Sequence, residues 1–288
     1  MLNRILALIG ADNNVKYTVV HRILTIFYGA AVLFLVPFFL TVKQQGYYFS
    51  FSSLIALQVF FELGLNFVIL QFFAHEAAFV HIDSQGNVTG SDAHVGRIRC
   101  LFRMLFKWYS YAALSFIIIV LPVGYFFFIN NGDLEVREWL VPWVILTIFS
   151  GVNLFLSPFL AAVEGMGQVA AVAKLRISQT ITSLLAIVVG LTTGLGLNFA
   201  PISVVVSVVF TSYWLWSLRS WLRHFLSLPG DRVAISWLKE IFPYQWRIAV
   251  SWLAGYFVFY LLSPITFYFY GAEEAGKIGL ALLCFKVS

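Results

Sequence analysis

The sequence is poor in charged residues. Asp, Glu, Lys and Arg make up 11% of its 288 residues, whereas soluble globular domains carry about 25%. Hydrophobic residues make up 61%, which is more apolar side chain than a soluble chain of this length can bury. This balance excludes an ordinary soluble domain and predicts a chain that is solvated mostly by lipid.

Cysteine and histidine are also scarce, with two and five residues. Cys100 and Cys284 are too few for a disulfide framework, and the spacing of His75, His81 and His94 fits no zinc pattern. The sequence has no Ser–His–Asp arrangement, no paired carboxylates on a large outer loop and no glycine-rich phosphate loop followed by lysine. We therefore predict no catalytic site, no metal and no cofactor, and no pump driven by ATP.

Long apolar runs, by contrast, are abundant. A helix needs about 20 apolar residues to cross the hydrocarbon core of a bilayer. Eight runs are candidates, at 20–42, 47–73, 104–129, 139–161, 176–196, 198–218, 246–270 and 274–288, the last one cut short. The predicted fold class is therefore an all-α membrane protein, a polytopic helix bundle with about eight transmembrane helices.

The basic residues predict how the bundle is oriented. With a cytoplasmic N-terminus, fourteen Lys and Arg residues fall on inner segments, and three, Lys43, Arg137 and Lys277, fall on outer ones. Such an excess on the inner side is the positive-inside signal. We expect a multi-pass protein of the cell inner membrane, with residues 1–10 as a short interfacial helix. The net charge of +5 then reflects topology and contact with anionic membrane lipid, and no nucleic-acid partner is expected.

Two outer hairpins are alike in position. Pro37 and Pro264 each lie late in an aromatic span, and Gly46 and Gly276 each open the span that follows. Both pairs run outward and back, which predicts parallel repetition of six-helix units. We expect a six-helix lobe over 1–225 and the start of a second lobe over 226–288. Because that second unit holds only two helices, we expect a fragment, or a chain completed by a second polypeptide.

One acid lies in the middle of an apolar span. Gln58, Glu62 and Asn66 are four residues apart, so on a continuous helix they fall within an arc of about 80°. A charged side chain at the bilayer centre costs roughly 2.5 kcal/mol or more and usually faces the bundle interior or water. We predict that this stripe faces a wet cavity and that Glu62 carries a proton or cation. The alternative left open is structural, with Glu62 neutral or hydrogen-bonded to a neighbouring helix.

Two further polar positions are candidates for the same cavity. Ser150, Asn153 and Ser157 lie at helical spacing on the fourth span, so Asn153 is a candidate cavity residue, with helix packing as the alternative. Lys286 lies deep in the eighth span. A lysine at that depth should line a cavity or pair with an acid, and it is a candidate docking charge for an anionic substrate.

Two segments resemble a known family. The stretch QQGYYFSFSSLIALQVFFELGLNFVILQ, 44–71, resembles the second-helix region of polysaccharide transporters, in which an acid and Leu-Gly-Leu follow a Gly-Tyr opening. The stretch FLSPFLAAVEGMGQVAAVAKLRISQ, 155–179, resembles their fourth-to-fifth helix connection, with its Glu-Gly-x-Gly turn. These transporters belong to the multidrug/oligosaccharidyl-lipid/polysaccharide flippase superfamily. The members that the chain resembles most are the O-antigen repeat-unit flippases of lipopolysaccharide biosynthesis.

The resemblance implies a function and roles for particular residues. Its members have about twelve to fourteen helices in two six-helix lobes around a central cavity. It implies export of an undecaprenyl-pyrophosphate-linked oligosaccharide by ion-coupled alternating access, with other polysaccharide-assembly membrane proteins as candidate partners. Glu62 would be the coupling or gating carboxylate. Arg176, Arg247 and Lys286 would be candidates for contact with the anionic substrate.

Two rival functions stay open at this point. A multidrug or cation exporter of the same superfamily would suit the low internal charge. A membrane enzyme of polysaccharide assembly, such as a polymerase, would need catalytic Arg or His, often on a sizeable outer loop. The outer loops here are short and contain no histidine.

Overall fold

The apolar runs fold into long helices. A computed structural model describes residues 12–82, 88–90, 92–219 and 236–287. In chain order the α-helices are α1 (Asn13–Phe39), α2 (Val42–Ile55), α3 (Gln58–Glu62), α4 (Leu65–Ala77), α5 (Asp92–Asn131), α6 (Val136–Gly165), α7 (Val169–Thr192), α8 (Ile202–Ser217), α9 (Phe242–Phe259) and α10 (Leu262–Val287). A 3-10 turn, Gly196–Phe199, precedes α8, and a π turn, Trp237–Ile241, precedes α9. The predicted N-terminal helix and the predicted lobe boundary at 225 lie outside the described residues.

The predicted fold class is confirmed. Within the described residues, six helices are long and apolar enough to cross a membrane, and a seventh crossing is present if the bent pair Val42–Glu62 and Leu65–Ala77 is one span. One of the six is the 47-residue stretch Lys239–Phe285, which is about twice the length that one crossing needs. It is interrupted after Phe259 and again at Gly271, where φ is 85° and ψ is 177°. The predicted spans 246–270 and 274–288 share this stretch, one on each side of Gly271.

The predicted second span, 47–73, is not one continuous helix. The chain bends by 46° between Glu62 and Leu65, because Leu63 (φ 50°) and Gly64 (φ 68°) are both left-handed. Glycine adopts this conformation at little cost, but a leucine Cβ then crowds its own carbonyl. The prediction of a continuous helix is therefore wrong at this point.

Two short strands lie in the connection between α4 and α5. Strands β1 (Val80–Ile82) and β2 (Val88–Gly90) pair antiparallel, with Val80 opposite Gly90. Glu76, at the end of α4, is 2% exposed. It accepts hydrogen bonds from Arg97 (2.8 Å) and pairs with His94 (2.6 Å). Polar groups therefore fix this end of the bundle, which we call the Glu76 end.

The opposite end is fixed by aromatic packing. Tyr47 stacks on Phe128 (5.2 Å between ring centroids) and meets the edge of Phe267 (5.0 Å). The Tyr47 hydroxyl also accepts a hydrogen bond from the backbone N–H of Leu134, in the α5–α6 connection (3.1 Å). We call this the Tyr47 end. It joins α2, α5 and α6 to α10 through a buried aromatic cluster.

Two glycines let α2 and α10 touch at the Tyr47 end. A Cβ built on Gly46 would overlap the carbonyl oxygen of Ala272, and a Cβ on Gly276 would lie 2.5 Å from the carbonyl oxygen of Val42. The contact is reciprocal, because Gly46 lies four residues after Val42 and Gly276 four residues after Ala272. A two-fold relation between two repeated hairpins would produce this arrangement. The two glycines of the predicted repeat therefore occupy equivalent positions in the two hairpins, whereas Pro37 and Pro264 do not.

Candidate functional site

Glu62 is a buried acid in the middle of the bent second span. It is the last residue of α3 and is 5% exposed. The left-handed pair that follows it ends the helix and turns α4 away. A Cβ on Gly64 would lie 2.5 Å from the Ile248 side chain, so the bend also lets α9 approach closely. The break thus places the carboxyl group at the contact between the predicted first lobe and α9.

The Glu62 carboxyl group is incompletely satisfied. The backbone and side-chain amide groups of Asn66 approach it, but its Oε1 atom is buried and accepts no hydrogen bond from any described residue. Leaving a buried polar atom unpaired costs roughly 1–3 kcal/mol, and more when the group is charged. Such an oxygen can accept a proton, a cation or a hydrogen bond from a ligand.

A cavity of about 280 Å³ opens beside this carboxyl group. The α3 side contributes Ala56, Gln58, Val59 and Glu62, and the α9 side contributes Trp252, Gly255, Tyr256, Phe259 and Tyr260. Tyr256 and Tyr260 stack with ring centroids 6.1 Å apart. No Lys or Arg is among these described lining residues. One acid between aromatic faces can hold a cation, and apolar walls with few polar groups are typical of ligand sites.

Two of the three residues of the predicted stripe lie at this cavity. Gln58 and Glu62 line the cavity together. Asn66 lies beyond the bend, where its Nδ2 donates to Ser157 (2.8 Å) and its Oδ1 accepts from the Tyr109 hydroxyl (3.1 Å). Asn66 therefore ties α4 to α5 and α6, while its amide groups approach Glu62. Because the helix is broken between Glu62 and Asn66, the three residues do not form one continuous stripe.

Asn153 also takes part in helix packing. Its Oδ1 accepts a hydrogen bond from Ser207 on α8 (3.3 Å). Nearby, the amide of Gln179 donates to Thr211 (2.9 Å) and to the Ser207 carbonyl (3.1 Å). These bonds join α6, α7 and α8, and Asn153 is not among the residues that line the Glu62 cavity.

Of the three predicted basic contacts, Arg176 and Arg247 are not among the residues that line this cavity. Arg176 pairs with Glu164 through Nη2 and Oε2 at 2.8 Å. Arg247 is exposed and lies over the Trp246 ring, 5.8 Å from its centroid. Lys286 belongs to α10, but its side chain lies outside the described part of the structure. The role of these three residues in binding an anionic substrate stays a prediction.

Two groups of residues were not found by sequence reasoning. Trp252, Tyr256 and Tyr260 were missed because the seventh span is aromatic on every side, so no pattern singles them out. A polar network at the Glu76 end was also missed. There Arg97 donates to Glu76 and to Glu240 (2.5 Å), which joins α5 to the π turn before α9. In the sequence, the only indication of this network was that an acid and a base lie close to the ends of predicted spans.

The described residues contain no group of three His, Cys, Asp or Glu side chains that could hold a metal ion. Comparison with family models, curated proteins and solved structures finds no match for the chain. The chemistry of the Glu62 site and its setting in the membrane are therefore the features that bear on function.

Proposed function

We propose that the protein is a transporter that moves a lipid-pyrophosphate-linked oligosaccharide to the outer leaflet by ion-coupled alternating access. The observation that carries the proposal is Glu62, a buried carboxyl group with an unpaired oxygen beside a cavity between α3 and α9. A membrane-embedded acid of this kind usually serves an ion or substrate pathway. Binding or release of an ion there changes the charge at the contact between two lobes.

The choice of substrate rests on the resemblance of residues 44–71 and 155–179 to polysaccharide transporters. The aromatic walls formed by Trp252, Tyr256 and Tyr260 are suited to contact the apolar faces of sugar rings. The cations for the pyrophosphate would be Arg176, Arg247 and Lys286. In this structure Arg176 is neutralised by Glu164, so its use would require that ion pair to open.

A second candidate function is export of an organic cation. It is favoured by the cavity itself, in which the described lining residues pair one acid with four aromatic side chains and no base. Aromatic faces around a carboxylate are the arrangement that binds quaternary ammonium groups. The two candidates share the coupling role of Glu62 and differ only in the transported molecule.

A substrate assay separates the two. We expect purified protein in proteoliposomes with an imposed proton or sodium gradient to move a fluorescent isoprenoid-pyrophosphate oligosaccharide between leaflets, and not to move ethidium. Protein-free vesicles and vesicles without a gradient are the controls. Gradient-driven ethidium movement without oligosaccharide movement would replace the first candidate with the second. Movement of neither molecule would contradict both.

We also propose that the N-terminus is cytoplasmic, from the excess of Lys and Arg at the Glu76 end. Asp133 lies in the α5–α6 connection and Ser236 precedes the π turn. In a cysteine-free background, a membrane-impermeant thiol reagent added to intact cells should label Asp133→Cys and should label Ser236→Cys only after lysis. The reverse pattern would invert the orientation.

A further inference from the structure

A groove separate from the Glu62 cavity lies at the start of the apolar part of α5. It has a volume of about 540 Å³ and is lined by Cys100, Phe102, Arg103, Met104, Phe106, Lys107 and Phe159. All but Phe159 come from α5, and Phe159 comes from α6. The volume is within the range of roughly 300–1,000 Å³ that is usual for ligand sites. The walls are apolar, and the charge of the groove comes from Arg103 and Lys107.

Neither of these cations has a counter-charge among the described residues. Arg103 and Lys107 are exposed, and neither forms a salt bridge with an acid of the described residues. They lie four residues apart, so they project from one face of α5. Basic residues that are neither paired nor buried can accept an anionic group without losing an existing partner.

Arg99 extends this basic face by one turn. Its Nε and Nη2 atoms are buried and donate to no described residue. Arg99, Arg103 and Lys107 fall within an arc of about 80° on the helix. A buried guanidinium with unpaired donors is costly unless an anion satisfies it. Arg99 does not line the groove, but it adds a third positive charge to the same helix face.

The position of the groove along α5 indicates the kind of anion. The helix has 40 residues, about 60 Å at 1.5 Å per residue, and the hydrocarbon core is about 30 Å thick. The apolar run begins near residue 104, which places Arg103 at the headgroup level and Phe106 beside the acyl chains. Lys107 lies about one turn inside the run, from where its long side chain can extend back to the headgroup level. With the proposed orientation, this level belongs to the inner leaflet, which carries anionic lipid.

We propose that this groove binds an anionic phospholipid of the inner leaflet. The phosphate contacts Arg103 and Lys107, and the start of an acyl chain lies along Met104, Phe106 and Phe159. A glycerophospholipid matches both the charge and the apolar walls, whereas a free anion would leave the walls uncovered.

Cys100 lines the groove and is a free, partly exposed cysteine, so its rate of alkylation reports whether the groove is occupied. The exposed Cys284 is first removed as Cys284→Ser. The rate of maleimide alkylation of Cys100 is then measured in detergent micelles with added phosphatidylglycerol, phosphatidylcholine or inorganic phosphate. We expect phosphatidylglycerol to slow alkylation at concentrations at which the other two do not. Equal protection by phosphatidylcholine would mean that charge plays no role, and equal protection by phosphate would mean a free-anion site; either would overturn the proposal.

Charge variants test the same site. Each Lys or Arg near an anionic membrane surface contributes about a fivefold affinity gain, so Arg103→Gln with Lys107→Gln should weaken phosphatidylglycerol protection about 25-fold. The matched control, Lys43→Gln with Arg137→Gln, removes two exposed cations at the Tyr47 end and should change nothing. The swap Arg103→Lys with Lys107→Arg keeps both charges and should retain binding, which guards against a folding defect. Unchanged protection in the double glutamine variant, or displacement of the lipid by lower concentrations of an isoprenoid pyrophosphate, would refute the proposal.

Discussion

Replacing Glu62 with glutamine should reduce gradient-driven translocation to the level of protein-free vesicles, while the protein still inserts and folds. Glutamine has nearly the same shape and keeps one carbonyl oxygen, but it cannot take up or release a proton and binds a cation only weakly. The Glu62 Oε1 atom has no described partner to lose. The variant therefore removes the ion-binding property and little packing. The measurement is oligosaccharide movement in proteoliposomes, alongside expression level and thermal unfolding.

The same experiment separates transport from a structural role. If Glu62 acts only as a structural element, Glu62→Gln should leave translocation unchanged. Glu62→Asp keeps the charge on a shorter side chain and should retain partial activity. Glu274→Gln is the matched control, since Glu274 is an exposed acid paired with Lys277 at 2.6 Å, and it should behave like the unmodified protein. Full translocation by Glu62→Gln would disprove the coupling role.

Replacing Gly46 with alanine should separate the two hairpins at the Tyr47 end. The new Cβ would overlap the carbonyl oxygen of Ala272, which is backbone and cannot rotate away. A carbon and a carbonyl oxygen in close contact lie about 3.3 Å apart, so α2 and α10 would have to shift by more than about 1 Å. Overpacking of this kind costs roughly 1–3 kcal/mol, which corresponds to a fall in unfolding temperature of several degrees.

Two further glycines supply the controls for this prediction. Gly276→Ala should have the same effect, since its Cβ would meet the Val42 carbonyl from the other side of the reciprocal contact. Gly255→Ala lies inside α9 with no atom within 4 Å of the new Cβ, so it should leave stability unchanged or raise it by up to about 1 kcal/mol through helix propensity. Thermal unfolding in detergent checks all three. An unfolding temperature for Gly46→Ala equal to that of Gly255→Ala would show that the hairpins are not held together at these residues.

The fold could be predicted in outline because lipid imposes simple rules on a sequence. The scarcity of charge and the length of the apolar runs led directly to membrane-spanning helices, since every backbone polar group must be satisfied within the helix. The hairpin glycines, Gly46 and Gly276, were also visible in the sequence. Their pairing was not, because a glycine in a helix shows where two backbones can approach but not which backbone does so.

The candidate site was predicted only in part, and the reason is a local one. Glu62 stood out because an acid inside an apolar run is costly. The prediction that Asn66 shares its surface assumed a continuous helix, and Leu63 gives no warning of a left-handed residue. Gly64 permits the bend, but contacts such as the one with Ile248 set its direction.

The sequence by itself determined the lipid environment, the all-α architecture and the acid within the second span, because each follows from composition and from the cost of charge in hydrocarbon. Only the tertiary structure decided which residues face Glu62. Trp252 and Tyr256 lie almost two hundred residues further along the chain, and the approach of α9 to the bend brings them to the cavity. The tertiary structure also places Asn66 and Asn153 in hydrogen bonds between helices and pairs Arg176 with Glu164. These contacts depend on how the helices are placed relative to one another. The residue pattern within one helix carries no information about that placement.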